Sequence, residues 1–315
     1  MRIVSLLASA TEIVCALGCG EMLVGRSHEC DNPAWVRRLP CCSDAAFDIS
    51  VSSGEIDAEV RRRLRAGDPL YRVDADLIQA LHPDLIITQM HCDVCAVTAG
   101  DMERSGACAV HARQIALSAF SVQQIFDSIR QVARALGIDE RGEDLVRREQ
   151  ARLQAVTAKT ARFPRKSVGM LEWTDPVFVM ANWAPELVEV ANGEPVLGLK
   201  GEYSAAIDGN KLLEADPEYL IIAPCGFNLE RSLKELTQLE RYPWWAELRA
   251  VRSGKVAFAD GNMFFNRSGM TIAQTAEIVA EILHGVRFHD IPGTPWRTIG
   301  ESGRGRIPQL MESLL

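Results

Sequence analysis

The stretch "ADLIQALHPDLIITQMHC", residues 75–92, decides the fold. Its first part spaces apolar residues along one face of a helix, Pro83-Asp84 interrupts it, and "LIIT" (85–88) follows as an unbroken apolar run. The scheme returns in "GNKLLEADPEYLIIAPCG", residues 209–226, with Pro217-Glu218 as the break and "YLIIA" as the run. Short continuous apolar runs after helices suit parallel strands covered on both faces. One copy in each half of the chain predicts two related α/β lobes rather than a tandem array.

Each half opens on a further strand, "RIVSLL" (2–7) and "KSVGMLEW" (166–173), with "MLVGRS" (22–27) and "PVFVMA" (176–181) as second strands. Between the halves lies "RGEDLVRREQARLQAVTAKTARF", residues 141–163. From Glu143 to Phe163 it has neither Gly nor Pro, and Leu145, Glu149, Leu153 and Val156 share one side. That pattern predicts a helix of roughly 30 Å, closed by Pro164. The expected fold class is α/β: two Rossmann-like lobes with parallel sheets joined by a single long backbone helix. The expected divisions are 1–140, 141–163 and 164–288, with 289–315 as a peripheral tail.

A chain of 315 residues exceeds one small core. Hydrophobic residues at 47% and charged residues at 24% are ordinary for a globular protein, and a net charge of −8 gives no reason to expect nucleic acid. The run "RRRLR" (61–65) reads as a solvated helix face. No apolar run reaches the roughly 20 residues of a membrane helix, so no membrane insertion is expected. The amino terminus has only Arg2 as a positive n-region, and its Ala8-Ser9-Ala10 triplet imitates a cleavage site. Reading it as a first strand predicts a cytoplasmic protein, with the periplasm as the alternative. Nine cysteines, an odd number without a scaffold pattern, suggest mainly reduced thiols, with Cys15, Cys19 and Cys108 as small core residues.

In open α/β sheets ligands gather at the carboxyl ends of the strands, so the turns after each strand matter. They are "ASATE", "HECDNP", "MHCDVCAV", "EWTDP", "PCGFNLER" and "DGNMFFNRSG". The segments "RIVSLLASATEIVCALG", "VGRSHECDNP", "LYRVDADLIQALHPDLIITQ", "CDVCAV", "LEWTDPVFVMANWAPELVEVANG", "PCGFNLER" and "DGNMFFNRSG" occur in this order. Together they resemble the periplasmic-binding-protein-like, helical-backbone substrate-binding proteins that serve ABC importers of cobalamin, haem, iron–siderophores and metals. The resemblance is nearest to the cobalamin-binding group and runs from residue 2 to about residue 284. It implies a rigid connecting helix, a ligand held between lobes with little closure, and a corrinoid or tetrapyrrole-sized ligand.

The site chemistry comes from the residues. Cys92-x-x-Cys95 follows a strand and can contact ligand or metal, act as a redox pair, or pack; a helix starting at Cys95 would favour its thiolate. His28, Cys92, Cys95 and Cys225 form a candidate soft-metal set for zinc or an iron–sulfur cluster. The plainer alternative is scattered thiols and a hydrogen-bonded His28. Trp173, Trp183 and Phe227 offer flat apolar walls or ordinary core, with Glu29 and Glu172 as polar groups. Arg267, on "FFNRSG", suits a ligand carboxylate or phosphate, or is a surface arginine. Ser9, Thr11 and Glu12 read as a helix cap, Gly18-Cys19-Gly20 as a helix end, and "YPWWAEL" (242–248) as packing. Phosphate-loop, dinucleotide and nucleophile-elbow motifs are missing from the sequence. The expected function is a cytoplasmic binding protein for a cobalamin-like, tetrapyrrole or metal-containing ligand. Its expected partner is an ABC importer or a cytosolic acceptor. The alternative is an enzyme using a cysteine/histidine metal or thiol site.

Overall fold

The computed structural model of the protein describes residues 1–90, 96–107, 110–288 and 293–299. The chain divides into two compact units, Met1–Arg152 with Arg267–Ala273, and Leu153–Asn266 with the described residues from Gln274 on.

In the first unit, β1 (Ile3–Ser5) leads to α1 (Ala8–Ala16) and β2 (Leu23–Arg26). Next come β3 (Ser43–Ala45), α2 (Ser53–Ala66), β4 (Tyr71–Val73), α3 (Ala75–Ala80), β5 (Leu85–Gln89), α4 (Ala99–Arg104), β6 (Arg113–Leu117) and α5 (Val122–Leu136). Four strands make an all-parallel sheet in the order β2-β1-β5-β6, and β3 pairs with β4 in a separate antiparallel ribbon. Ile3, Val4 and Ser5 lie opposite Leu85, Ile86 and Ile87, and all six are buried, as a central pair covered on both faces requires. β1 lies between β2 and β5, so the turns after β2 and β5, which carry His28 and lead to Cys92, do not follow adjacent strands.

Local chemistry explains the helices. α1 begins after Leu7 with no side-chain cap, so "SATE" is helix interior and not the cap expected; Gly18 ends the helix with φ +76°. α2 has a reciprocal capping box between Ser52 and Glu55. Ser52→Ala should therefore cost about 1 kcal/mol, readable as a lower urea midpoint with an unchanged slope. Three of the four "RRRLR" arginines on this helix are ion-paired: Arg61 with Asp57, Arg62 with Glu59 and Asp68, Arg63 with Glu59. α5 starts on the Ser121 cap and buries Val122, Ile125, Phe126, Ile129 and Val132 on one face.

The long helix α6 runs Asp139–Thr160, and the boundary between units falls within it. Leu145, Glu149, Leu153 and Val156 are all buried, the side expected from their spacing. It ends at Thr160, before the Phe163 read from the sequence, and Asn192 Nδ2 holds the carbonyls of Thr160 and Phe163 at 3.1 and 2.8 Å.

The second unit contains β7 (Lys166–Thr174), β8 (Val177–Val179), α7 (Ala184–Val190), β9 (Gly193–Val196), β10 (Ala205–Ala206), α8 (Gly209–Ala215) and β11 (Tyr219–Ile222). It continues through α9 (Leu229–Lys234), α10 (Leu236–Leu239), α11 (Arg249–Arg252), β12 (Val256–Ala259), the later part of α12 (Ile272–His284) and β13 (Trp296–Ile299). The strand order is β10-β8-β7-β11-β12-β13, with β9 also on β7. The segment β9-β7-β11-β12 is parallel, while β8, β10 and β13 are antiparallel additions. Thus "PVFVMA" folds back on β7, and the tail segment Trp296–Ile299 adds an edge strand. Leu171, Leu220, Ile222, Phe258, Leu212, Trp244 and Trp245 share one apolar core, so "YPWWAEL" is packing. No helix among the described residues is long and apolar enough to cross a membrane.

Candidate functional site

In the second unit the carboxyl ends of β7, β11 and β12 are stitched together by backbone hydrogen bonds. After β11, Ala223 N–H donates to the Leu171 carbonyl and Cys225 N–H to the Glu172 carbonyl, each at 3.0 Å. After β12, the N–H groups of Gly261 and Asn262 donate to the Phe227 carbonyl at 2.8 and 3.0 Å. Asn266 Nδ2 closes the set on the carbonyls of Ala223 and Gly261. Three strand ends thereby form one fixed platform, where a doubly wound sheet receives its ligands.

Four residues singled out from the sequence meet on this platform: Glu172, Trp173, Cys225 and Phe227. The Trp173 and Phe227 rings are 5.1 Å apart and inclined at 51°, and the Arg231 guanidinium lies 4.5 Å over Phe227. Glu172 sits at an irregularity of the β7–β8 pairing and accepts a short hydrogen bond from Ser204 Oγ. Burial pushes its carboxyl above the ordinary carboxylate range, and the Ser204 bond opposes that rise. Behind the platform, Thr174 Oγ1 donates to buried Glu235 at 2.5 Å, and Tyr242 and Gln238 donate to Asp175 at 3.1 and 2.9 Å. Cys225 is a half-buried free thiol. Trp183 is buried at the head of α7, outside the Trp173–Phe227 pair.

The first unit holds the other candidates. His28 Nδ1 lies 3.0 Å from Ser43 Oγ, and its ring packs 5.3 Å from that of Tyr71. Burial lowers the pKa of this imidazole, while Asp44 pulls it back up. Glu29 is partly buried on the same turn. Arg267 is not a surface arginine. It is buried, and it donates to Glu12 Oε1 at 2.6 Å and to Asp31 Oδ1 at 2.5 Å. Asn32 Nδ2 also donates to Glu12 Oε1, whereas Glu12 Oε2 is buried with no partner among the described residues. The sequence did carry a signal for this triad: Glu12 is the one charged residue in "ASATEIVCALG", and an acid on an apolar helix needs a buried cation.

Cys92 and Cys95, with His91 and Cys108, lie outside the described residues. Among the described residues no group of three or more His, Cys, Asp or Glu could hold a metal ion. His28 belongs to the first unit and Cys225 to the second. The described cysteines, Cys15, Cys19, Cys30, Cys41, Cys42 and Cys225, are free thiols. Burial pushes Cys15 up to about 11 and Cys42 up to about 12, which keeps them protonated and inert.

The family model described as periplasmic binding protein matches residues 3–263. A periplasmic heme binding protein from Pseudomonas aeruginosa has the same fold at a TM-score of 0.68 and 19% identity, over 90% of this chain and 92% of that one. An ABC transporter substrate-binding protein from Listeria monocytogenes EGD-e aligns at a TM-score of 0.68 and 17% identity, over 90% and 99%. The periplasmic vitamin B12 binding protein BtuF of Vibrio cholerae aligns at 0.63 and 19%, over 90% and 96%. No curated protein matches the chain. The family match overturns the cytoplasmic location expected from the sequence, because the family is one of periplasmic proteins. Reading Ile3–Ser5 as a strand concerned the folded unit, and a strand carries no information about compartment.

Proposed function

We infer the function from one premise: the chain belongs to the periplasmic binding protein family. On that premise it is a substrate-binding protein that hands a small-molecule ligand to an ABC importer. The ligand we propose is a tetrapyrrole-type macrocycle, either a cobalamin-like corrinoid or a haem. The observation that carries this reading is the Trp173–Phe227 pair beside Glu172 on the stitched strand ends. The half-buried Trp173 ring, backed by buried Phe227, offers an apolar face, and a single polar group beside it orients what lands there. The ligands named for two proteins of the same fold, heme and vitamin B12, are both macrocycles of this kind.

The test is a titration of the purified, ligand-free protein with hemin and, separately, with cyanocobalamin, followed by absorbance. One of the two should bind saturably with one ligand per chain and a Kd of about 1 μM or tighter. Replacing both Trp173 and Phe227 by Ala should weaken that binding on the order of a hundredfold, as loss of central aromatic contacts does. Absence of saturable binding by either macrocycle would remove the assignment.

A further inference from the structure

We propose that Glu172 meets the ligand as a neutral carboxylic acid, with Oε1 donating a hydrogen bond to a carbonyl or carboxylate on the ligand's rim; this rests on ligand binding at the platform described above. Ser204 Oγ accepts from Ala181 N–H at 3.1 Å and from Asn182 Nδ2 at 3.5 Å. A hydroxyl has two lone pairs and one proton, so with both lone pairs occupied the proton goes to the remaining neighbour, Glu172 Oε2. Oε2 is therefore an acceptor in either protonation state. A proton carried by Glu172 itself sits on Oε1, which has no partner among the described residues.

The surrounding geometry fixes this arrangement. Leu197 has φ +72°, Asn182 has φ +52°, and a Cβ on Gly198 would lie 2.0 Å from the Met180 carbonyl oxygen. The 197–204 loop is thus pressed onto the turn after β8, where Asn182 N–H donates to the Glu202 carbonyl and Gly201 N–H to that of Asn182. Ser204 is positioned by backbone and not by a free rotor.

The groups around Glu172 favour the neutral form. From the loop and the turn after β8 come Ser204 and Asn182, both uncharged; from the turn after β11 comes Cys225, whose N–H bonds the Glu172 carbonyl. The charged side chains of the adjacent elements are engaged or solvated: Lys200 pairs with Glu189, Arg231 lies over Phe227 and near Glu235, Asp175 takes Tyr242 and Gln238, and Glu202 is exposed. No counter-ion among the described residues faces the carboxyl, and burial raises its pKa. Ionised, it would repel a ligand carboxylate and could only accept. Neutral, it donates to the amide carbonyl of a corrinoid or to a haem propionate alike.

The experiment titrates the full chain with hemin and with cyanocobalamin from about pH 5 to about pH 9, and repeats both titrations with Glu172→Gln and Glu172→Ala. For the macrocycle that binds, parent affinity should fall about tenfold per pH unit once the carboxyl ionises. Glu172→Gln keeps a neutral donor and should flatten that profile, whereas Glu172→Ala should bind weakly at every pH. Infrared difference spectra of the ligand-free protein should show a protonated carboxyl band that Glu172→Gln removes. A parent profile that matches the Gln variant, or no such band, overturns the inference while leaving the binding assignment intact. If neither macrocycle binds the parent at any pH, the assignment falls and this inference with it.

Discussion

Arg267→Met should lower the stability of the protein by about 3–5 kcal/mol, the range for removing one partner of a buried ion pair. The aliphatic stem is kept, so the loss reports the guanidinium, not the packing. Without it, among the described residues Glu12 Oε1 keeps only Asn32 and Glu12 Oε2 has no partner, and Asp31 loses a bond of 2.5 Å. Thermal unfolding should move down on the order of 10 °C. The arginine reaches back to the first unit from position 267, and Gly269 packs so closely on Ser9 that a Cβ would lie 2.8 Å from the Ser9 Cβ. The triad therefore anchors this returning segment as well as neutralising charge.

The pH dependence separates charge from packing. Burial pushes the Glu12 carboxyl up, against the pull of Arg267, so the native state holds that proton more tightly than the unfolded chain does. Glu12's contribution to stability is then complete below the ordinary carboxylate range and is lost as pH rises through the raised value. In Arg267→Met both carboxylates lose the guanidinium, which extends this loss to higher pH, and the deficit relative to the parent should shrink as pH falls from about 7 to about 4. Neutralising both acids in the same chain, as Glu12→Gln with Asp31→Asn, should restore much of the lost stability. A deficit that is constant with pH and not rescued would assign Arg267 a packing role instead.

How much of this was legible in sequence depends on the range of the interaction. Runs such as "LIIT" and "YLIIA" announce buried parallel strands because every residue in them is apolar, and β5 and β11 lie where those runs predict. The spacing of Leu145, Glu149, Leu153 and Val156 likewise gives the buried face of α6. The antiparallel return of β8 was hidden, because "PVFVMA" is equally apolar in either direction. Partners far apart in sequence were hidden too. Glu12 and Arg267 are separated by 255 positions, and nothing near either names the other. "SATE" fits a cap locally, and only the tertiary ion pair shows why a glutamate belongs inside α1. On the platform the turns "EWTDP" and "PCGFNLER" were readable as strand ends, but Ser204, which orients Glu172, sits in a loop with no motif.

Gly261→Ala should cost about 3 kcal/mol, the upper end for overpacking, and should weaken macrocycle binding on the order of tenfold. A Cβ at this position would lie 2.1 Å from the Pro224 carbonyl oxygen and 2.7 Å from the Ala223 carbonyl carbon and oxygen. All of these are backbone atoms, so no side chain can swing away. The 223–227 turn is itself tied to β7 through Ala223 N–H on Leu171 and Cys225 N–H on Glu172. Room for the methyl is made only by lengthening those bonds or by breaking Gly261 N–H from the Phe227 carbonyl. Either movement displaces Phe227 from Trp173 and tilts the aromatic surface, which is why binding and stability should fall together. Gly226→Ala is the control within the same turn: its φ is +76° but no atom lies within 4 Å of the new Cβ, so it should cost only about 1 kcal/mol. Urea denaturation of the two variants, with titrations of the ligand that binds the parent, compares steric and conformational costs at neighbouring glycines. If Gly261→Ala proves no more damaging than Gly226→Ala, the strand ends yield without loss and do not form a fixed platform.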